Sequence, residues 1–205
     1  YNLSPEEIFN NMDRDFINVN SAICSNSAHM WTYDFHREYE LQSGKIFVFY
    51  TQKNSRDGLK NWWYHVAPII YHQQELWVLD RGYPGLIQGP QSPSEWFHFF
   101  VKETACKEIK ANEEEIIKLL FKQQVLPQET AYGKHDCYYK ITPEFVWTPS
   151  NLAKTLLGKD ENGRTITKPQ GYNKSELYQA CLEATTTKLT YSLPRSRARC
   201  RKFIR

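Results

Sequence analysis

Two helical patterns of hydrophobic positions open the chain. Ser4 is followed by Pro5 and Glu7, as in a capping box, and this predicts a helix over residues 5–17. A second helix is predicted over residues 24–42. Its apolar stripe consists of Cys24, Ala28, Trp31 and Phe35. Cys24 therefore stands in the first turn of a helix that buries one face.

The pattern then changes to strands. β-Branched and aromatic residues fill positions 45–51, and a polar loop follows over residues 52–61. Residues 62–71 and 75–80 predict two further strands with the close spacing of a hairpin. Pro68 lacks a backbone donor, which predicts an edge strand or a bulge at that point.

The rest of the chain mixes both patterns without a regular alternation of strand and helix. We predict helices over residues 94–107, 112–123 and 174–188, short strands over 138–141 and 145–147, a polar surface excursion over 158–171 and a basic tail. This mixture predicts an α+β fold with an antiparallel sheet. We expect residues 1–101 to form a catalytic core. Residues 102–205 would be a C-terminal extension that packs on this core or completes the same domain.

Composition narrows the classes of protein. The chain has 205 residues, of which 40% are hydrophobic and 15% aromatic, which is enough apolar surface for a core and excludes wholesale disorder. A formal net charge of +3 gives no reason to expect a nucleic-acid partner. Every apolar stretch is far shorter than the roughly 20 residues that cross a bilayer, so we expect no membrane span.

Three residues have the settings that cysteine catalysis needs. A thiol at a helix N-terminus, as predicted for Cys24, is favoured as thiolate, and the free N–H groups there are able to receive an oxyanion. A hairpin loop over residues 72–73, or one over 71–74, places His65 directly across from Asp80, with Cβ atoms about 4.5–5.5 Å apart. The carboxylate would then orient the imidazole toward the thiol. This order of residues is typical of papain-like and transglutaminase-like hydrolases.

Several short motifs follow one another along residues 17–96. They are Cys24-Ser25-Asn26-Ser27-Ala28-His29-Met30, Trp63-Tyr64-His65-Val66-Ala67, Leu79-Asp80, Gly89-Pro90 and Trp96. Taken together, they resemble the bacterial protein-glutaminases, also called protein-glutamine deamidases. The resemblance implies a papain/transglutaminase-like core in which a helix carrying the cysteine packs on an antiparallel sheet carrying the histidine and the aspartate.

The resemblance also implies an activity, the hydrolysis of glutamine side-chain amides in proteins or peptides with release of ammonia. Cys24 would be the nucleophile, His65 the general base and acid, and Asp80 the orienting carboxylate, with no metal or organic cofactor. Partners would be a protein or peptide substrate with an accessible glutamine and a removable inhibitory pro-segment. We expect a monomer that is secreted or periplasmic.

Aromatic residues flank the predicted triad. Trp63, Tyr64 and Tyr83 are our candidates for the walls of a groove that takes the aliphatic stem of glutamine. Strand alternation puts Trp63 on the His65 side and Tyr64 on the other side. The chain departs from the family where Arg81 follows Asp80, because the family tends to have proline there, so the rim of the site differs.

Five cysteines and no Cys-x-x-Cys pair argue against a zinc ribbon, and we predict no metal site. The four cysteines other than Cys24 allow three pairings, of which Cys106–Cys137 with Cys181–Cys200 is our hypothesis. Two disulfides would indicate an exported enzyme.

Other functions use the same features. A transglutaminase shares the thioester and differs in the amine that receives the acyl group, and a cysteine peptidase, including one that cleaves cell-wall peptides, uses the same triad. The alternative without catalysis is a module that binds an anionic partner through the basic tail. The cations of that tail are Arg195, Arg197, Arg199, Arg201, Lys202 and Arg205.

Overall fold

A five-stranded sheet forms the centre of the fold. The structure, a computed structural model, describes residues 3–17, 24–51, 54–56, 63–82, 86–102, 106–122, 137–186 and 193–205. The strands are β1 Ser43–Tyr50, β2 Tyr64–His72, β3 Glu75–Val78, β4 Lys107–Glu108 and β5 Cys137–Pro143. Their spatial order is β3-β2-β1-β5-β4, and all neighbours are antiparallel except β4 and β5, which are parallel.

Helices surround this sheet and confirm the predicted α+β class. The α-helices are α1 Pro5–Asn11, α2 Cys24–Tyr39, α3 Pro93–Phe97, α4 Glu114–Phe121, α5 Pro149–Leu157, α6 Lys174–Thr186 and α7 Leu193–Cys200. Two 3-10 helices, Arg14–Phe16 and Arg201–Phe203, complete the described elements. Within the described residues, no helix combines the length and the apolar character that crossing a membrane requires.

The first predicted helix divides in two. Ser4 and Glu7 exchange the reciprocal hydrogen bonds of a capping box, at 3.2 and 2.7 Å, so α1 begins where the sequence predicts. The helix ends early because Asp13 adopts an extended conformation and caps the next 3-10 turn, its Oδ1 accepting from the N–H of Asp15 at 2.9 Å.

The hairpin of β2 and β3 has a register different from the predicted one. His72 pairs with Glu75 and Ile69 with Val78, so the two-residue loop consists of Gln73 and Gln74. Both have positive φ, 49° and 67°, as a type I′ turn requires. The prediction that His65 lies directly across from Asp80 is therefore wrong.

The register differs from the prediction by two residues, and this difference preserves the face on which each side chain lies. If the observed register continued past Val78, Ala67 would oppose Asp80. His65 and Asp80 are then diagonal neighbours on one face, within reach of long side chains.

Pro68 lies in an interior strand, β2, whereas the sequence predicted an edge strand or a bulge there. Its carbonyl accepts from the N–H of Leu79 at 2.9 Å, one residue after β3 has ended. Because proline has no N–H, Pro68 returns no second bond to Leu79, and the contact between the two residues has a single backbone hydrogen bond. The proline thereby coincides with the end of the β2–β3 pairing.

The two faces of the sheet have separate cores. On one face, Phe47, Phe49 and Val66 pack with Ala28 of α2. On the other face, Ile46, Val48 and Ala67 pack with Trp96 and Phe100. This alternation follows from the period of two along each strand.

The second half of the chain completes both the sheet and its helical cover. β5 lies beside β1, and α6 packs against α2. The predicted disulfides Cys106–Cys137 and Cys181–Cys200 are confirmed. Two local predictions are wrong: the helix over 94–107 is only α3, and residues 145–147 form no strand. The basic tail contains α7, a helix that the sequence analysis did not predict.

Candidate active site

Cys24 is the first residue of α2 and is partly exposed. All five cysteines lie in the described part of the chain, and Cys24 is the one outside the two disulfides. The first turn of α2 contains no acidic residue, so no carboxylate there offsets the positive end of the helix dipole. As the first residue of α2, Cys24 stands beside backbone N–H groups that have no partner within the helix.

His65 and Asp80 form a buried pair. Nε2 of His65 lies 2.7 Å from Oδ2 of Asp80, and each side chain is 2% exposed. Since Nε2 is engaged with the carboxylate, Nδ1 is the ring nitrogen left for the thiol. The ring stacks on Phe100 with centroids 4.5 Å apart, which restricts its rotation.

Two further donors fix the carboxylate of Asp80. The indole N–H of Trp96 donates to Oδ2 at 2.8 Å, and the backbone N–H of Gly82 donates to Oδ1 at 3.0 Å. Sequence reasoning included Trp96 in a family motif but gave it no role. No local pattern predicts this contact, because Trp96 reaches Asp80 from α3.

The charge of His65 is set by opposing influences. Burial disfavours the imidazolium ion, but the negative charges of Asp80 and Cys24 and the hydrogen bond to Asp80 raise the pKa of His65 to about 10. The influence of the Cys24 charge on the imidazole indicates that the sulfur lies near His65, so the three predicted residues lie together. The imidazolium form of His65 is therefore favoured near neutral pH.

The aromatic candidates lie beside these three residues. Trp63 and Tyr64 meet edge to face with centroids 4.8 Å apart, and both pack with Cys24 on the cluster that contains Phe49. The expected separation of Trp63 and Tyr64 to opposite faces is wrong, because Trp63 precedes β2 and escapes its alternation. Tyr83 lies outside the described residues.

His29, a motif residue without a predicted role, forms a second buried pair. Its Nδ1 lies 2.6 Å from Nζ of Lys45, which also donates to the carbonyl of Val146 at 2.6 Å. Burial, and then the charge of Lys45, lower the pKa of His29, so the imidazole is a neutral acceptor. The pair ties α2 to β1 and to the chain after β5, away from Cys24.

Arg81, where the chain departs from the family pattern, anchors the loop that follows Asp80. Its Nη1 donates to the carbonyls of Phe9 at 2.6 Å and Asn10 at 2.8 Å, and its guanidinium lies 5.5 Å from the centre of the Phe9 ring. These carbonyls belong to the last turns of α1, where helical carbonyls lack internal partners. The loop is thereby joined to the N-terminal helix.

The basic tail is partly used within the protein. Arg199 donates to Asp15 at 2.6 Å and to the carboxylate of Asp13, and its guanidinium lies 5.1 Å from the centre of the Phe16 ring. The disulfide at Cys200 holds the end of α7 to α6. At least one of the six tail cations therefore has a structural role.

The chain is similar to known proteins over the region that contains Cys24, His65 and Asp80. Residues 6–100 match the family model described as glutaminase. A search of curated proteins finds no match. The chain is also similar to the NMR structure of protein-glutaminase from Chryseobacterium proteolyticum, with a sequence identity of 13% and a TM-score of 0.48. The similarity covers 92% of this chain and 87% of that chain. The segment that matches the family model contains Cys24, His65 and Asp80, and the match supports the family assignment that the motifs predict, that of the protein-glutaminases.

Proposed function

We propose that this protein hydrolyses the side-chain amide of glutamine residues in proteins or peptides, with Cys24 as nucleophile, His65 as general acid and base, and Asp80 as the carboxylate that orients His65. One observation carries the assignment of roles. His65 is hydrogen-bonded to Asp80, and its pKa is influenced by the charge of Cys24, the partly exposed free cysteine at the start of a helix, within the segment that matches the glutaminase family.

In the proposed mechanism, acylation begins from a Cys24 thiolate and a His65 imidazolium ion. The Cys24 thiolate attacks the amide carbon, and the electron pair of the carbonyl moves to oxygen. Backbone N–H groups in the first turn of α2 are the donors closest in sequence for this oxyanion. His65 then transfers its proton to the departing nitrogen, ammonia leaves, and a thioester remains on Cys24.

Deacylation returns the enzyme to its starting state. His65, now neutral, takes a proton from water while the oxygen of that water attacks the thioester carbon. Collapse of the second tetrahedral intermediate releases the glutamate side chain and the Cys24 thiolate, and His65 is again protonated. Asp80 keeps its charge and holds the same ring nitrogen throughout both steps. The residues named here supply every proton transfer, and the mechanism uses no cofactor.

The rest of the assignment is also a proposal. We infer a papain/transglutaminase-like core, with Trp63, Tyr64 and Tyr83 along the substrate groove, in a secreted or periplasmic bacterial monomer that acts after loss of a pro-segment. Two disulfides favour an oxidising compartment. The catalytic core would end near residue 101, and the remaining chain would complete the same domain through β5 and α6.

Ammonia release from a glutamine-rich protein tests the proposal. We expect wild type to release ammonia and to add to its substrate the mass of an amide-to-acid exchange without cutting the chain. The Cys24→Ser variant should lose this activity while keeping its fold. Substrate fragments would favour a peptidase, and incorporation of an added primary amine in preference to hydrolysis would favour a transglutaminase. Intact, unmodified substrate would contradict all three.

A further inference from the structure

The hydroxyl of Tyr64 lies at the start of the helix that carries Cys24. Tyr64 immediately precedes His65 on β2, and its Oη lies 3.5 Å from Oγ of Ser25, the residue that follows Cys24. Tyr64 and Cys24 both pack against the cluster that contains Phe49. The contact with Ser25 is long for an O–H···O bond, so the hydroxyl proton is not committed to Ser25. The sulfur of Cys24 is the acceptor that a phenol at this position is able to meet.

The ring of Tyr64 is held so that the hydroxyl stays in place. It stacks on Phe49 with centroids 6.1 Å apart and meets Trp63 edge to face at 4.8 Å. A side chain fixed by aromatic neighbours loses little further entropy when its hydroxyl bonds the sulfur. The geometry is that of a prepositioned donor.

The protonation of Tyr64 agrees with this role. Burial of the hydroxyl and the negative charge of Cys24 raise the pKa of Tyr64 well above its ordinary value. The phenol therefore remains protonated wherever the thiolate exists, and it acts toward sulfur only as a donor.

We propose that Tyr64 is a catalytic residue that donates its hydroxyl hydrogen bond to the Cys24 thiolate, as a second donor beside His65. The inference rests on the proposed role of Cys24. The hydroxyl keeps its proton throughout the reaction, and the bond is strongest while the negative charge resides on sulfur. Tyr64 therefore does more than form an apolar wall for substrate.

The pH dependence of Cys24 alkylation tests this inference independently of any substrate, because Cys24 is the one free thiol. Tyr64→Phe keeps the ring and removes the hydroxyl. We expect its alkylation by iodoacetamide to fall about tenfold or more at pH values below the thiol midpoint, and the midpoint to rise by about one pH unit. Against glutamine substrates, kcat should fall while KM changes little. A profile identical to that of wild type overturns the inference.

Two matched variants separate the contact with sulfur from other effects. Tyr71→Phe removes an exposed hydroxyl from the same strand and should leave the profile unchanged. Ser25→Ala should also leave it unchanged, and if it reproduces the shift of Tyr64→Phe, the hydroxyl acts through Ser25 and the inference is wrong. A rise in KM alone, with normal alkylation, would assign Tyr64 to the substrate wall and likewise overturns it.

A measurement on wild type and the Cys24→Ser variant covers the case in which Tyr64→Phe fails to fold. In protein labelled with ¹³C at the tyrosine Cζ, one tyrosine signal should move between wild type and Cys24→Ser, because serine carries no anion at neutral pH. The inference is wrong if none moves. Ammonia release is scored separately: a wild type without glutaminase activity refutes the proposed function, whereas a shifted alkylation profile still supports the donor role of Tyr64.

Discussion

Trp96 donates its indole N–H to the same oxygen of Asp80 that bonds His65, at 2.8 Å beside a histidine contact of 2.7 Å. The ring of Trp96 is also 5.7 Å from that of His65 and is fully buried. Trp96 therefore limits both the rotation of the carboxylate and the space open to the imidazole. It is a positioning residue for the proposed triad.

Replacing Trp96 by phenylalanine should lower kcat about tenfold, because it removes one hydrogen bond to a buried charge and keeps an aromatic ring. KM should change less, since the contacts of Trp96 are with Asp80 and with the His65 ring. Steady-state kinetics on a glutamine peptide measures both values. Trp77→Phe, on β3 and outside these contacts, is the control. An unchanged kcat in Trp96→Phe would show that Gly82 and His65 suffice to hold Asp80.

The alkaline limit of activity should report the charge of His65. The pKa of His65 is raised to about 10, above its ordinary 6.5, so the imidazolium ion persists until the pH rises through that higher value. The contribution of the charged His65 to the free energy of unfolding is fully present below pH 6.5 and is lost as the pH rises through about 10. We expect kcat/KM to fall on the same alkaline side.

The variant Asp80→Asn tests the cause of this limit. Removal of the carboxylate charge should move the alkaline fall of kcat/KM, and that of Cys24 alkylation, to lower pH. Both profiles are measured at matched ionic strength. A limit that stays in place after Asp80→Asn would assign it to another group.

Arg81→Ala should destabilise the protein by about 1–3 kcal/mol, because carbonyls at the end of α1 lose a charged donor. Urea unfolding measures the loss. Arg37→Ala is the matched control: its guanidinium is exposed and lies 5.8 Å from the centre of the Tyr33 ring, and the expected change is within about 0.5 kcal/mol. Equal stability of the two variants would contradict the anchoring role of Arg81.

The C-terminal part of the chain should support catalysis through Asn26, two residues after Cys24. Nδ2 of Asn26 donates to Glu183 of α6 at 2.7 Å, and its Oδ1 accepts from the indole N–H of Trp147 at 2.8 Å. Asn26→Ala leaves both partners without this buried contact. We expect a loss of about 2–4 kcal/mol in unfolding free energy, with a lower kcat.

Gln179→Ala is the control for Asn26, because Gln179 donates to the other oxygen of Glu183 from an exposed position, at 2.7 Å. Its effect on both quantities should be small. If Asn26→Ala keeps the wild-type kcat in its folded form, the contact with α6 stabilises the protein without positioning the nucleophile.

Some features of the site follow from local sequence. The stripe from Cys24 to Phe35 predicts α2, and the chain forms that helix because the spacing places its apolar side chains on one buried face. The period of two along β2 and β3 explains why His65 and Asp80 share a face although the predicted register was wrong by two residues. Local patterns contain this information because helix and strand periods act between near neighbours.

The sequence by itself determined a cysteine at a helix start, a histidine and an aspartate on one face of a hairpin, and motifs that name a family. Tertiary structure decided the rest. The Gln73–Gln74 turn, which carries no glycine or asparagine signal, set the register. Trp96, Arg81 and Asn26 found partners far away in the chain, because such contacts depend on how whole elements pack and not on the spacing of neighbouring residues.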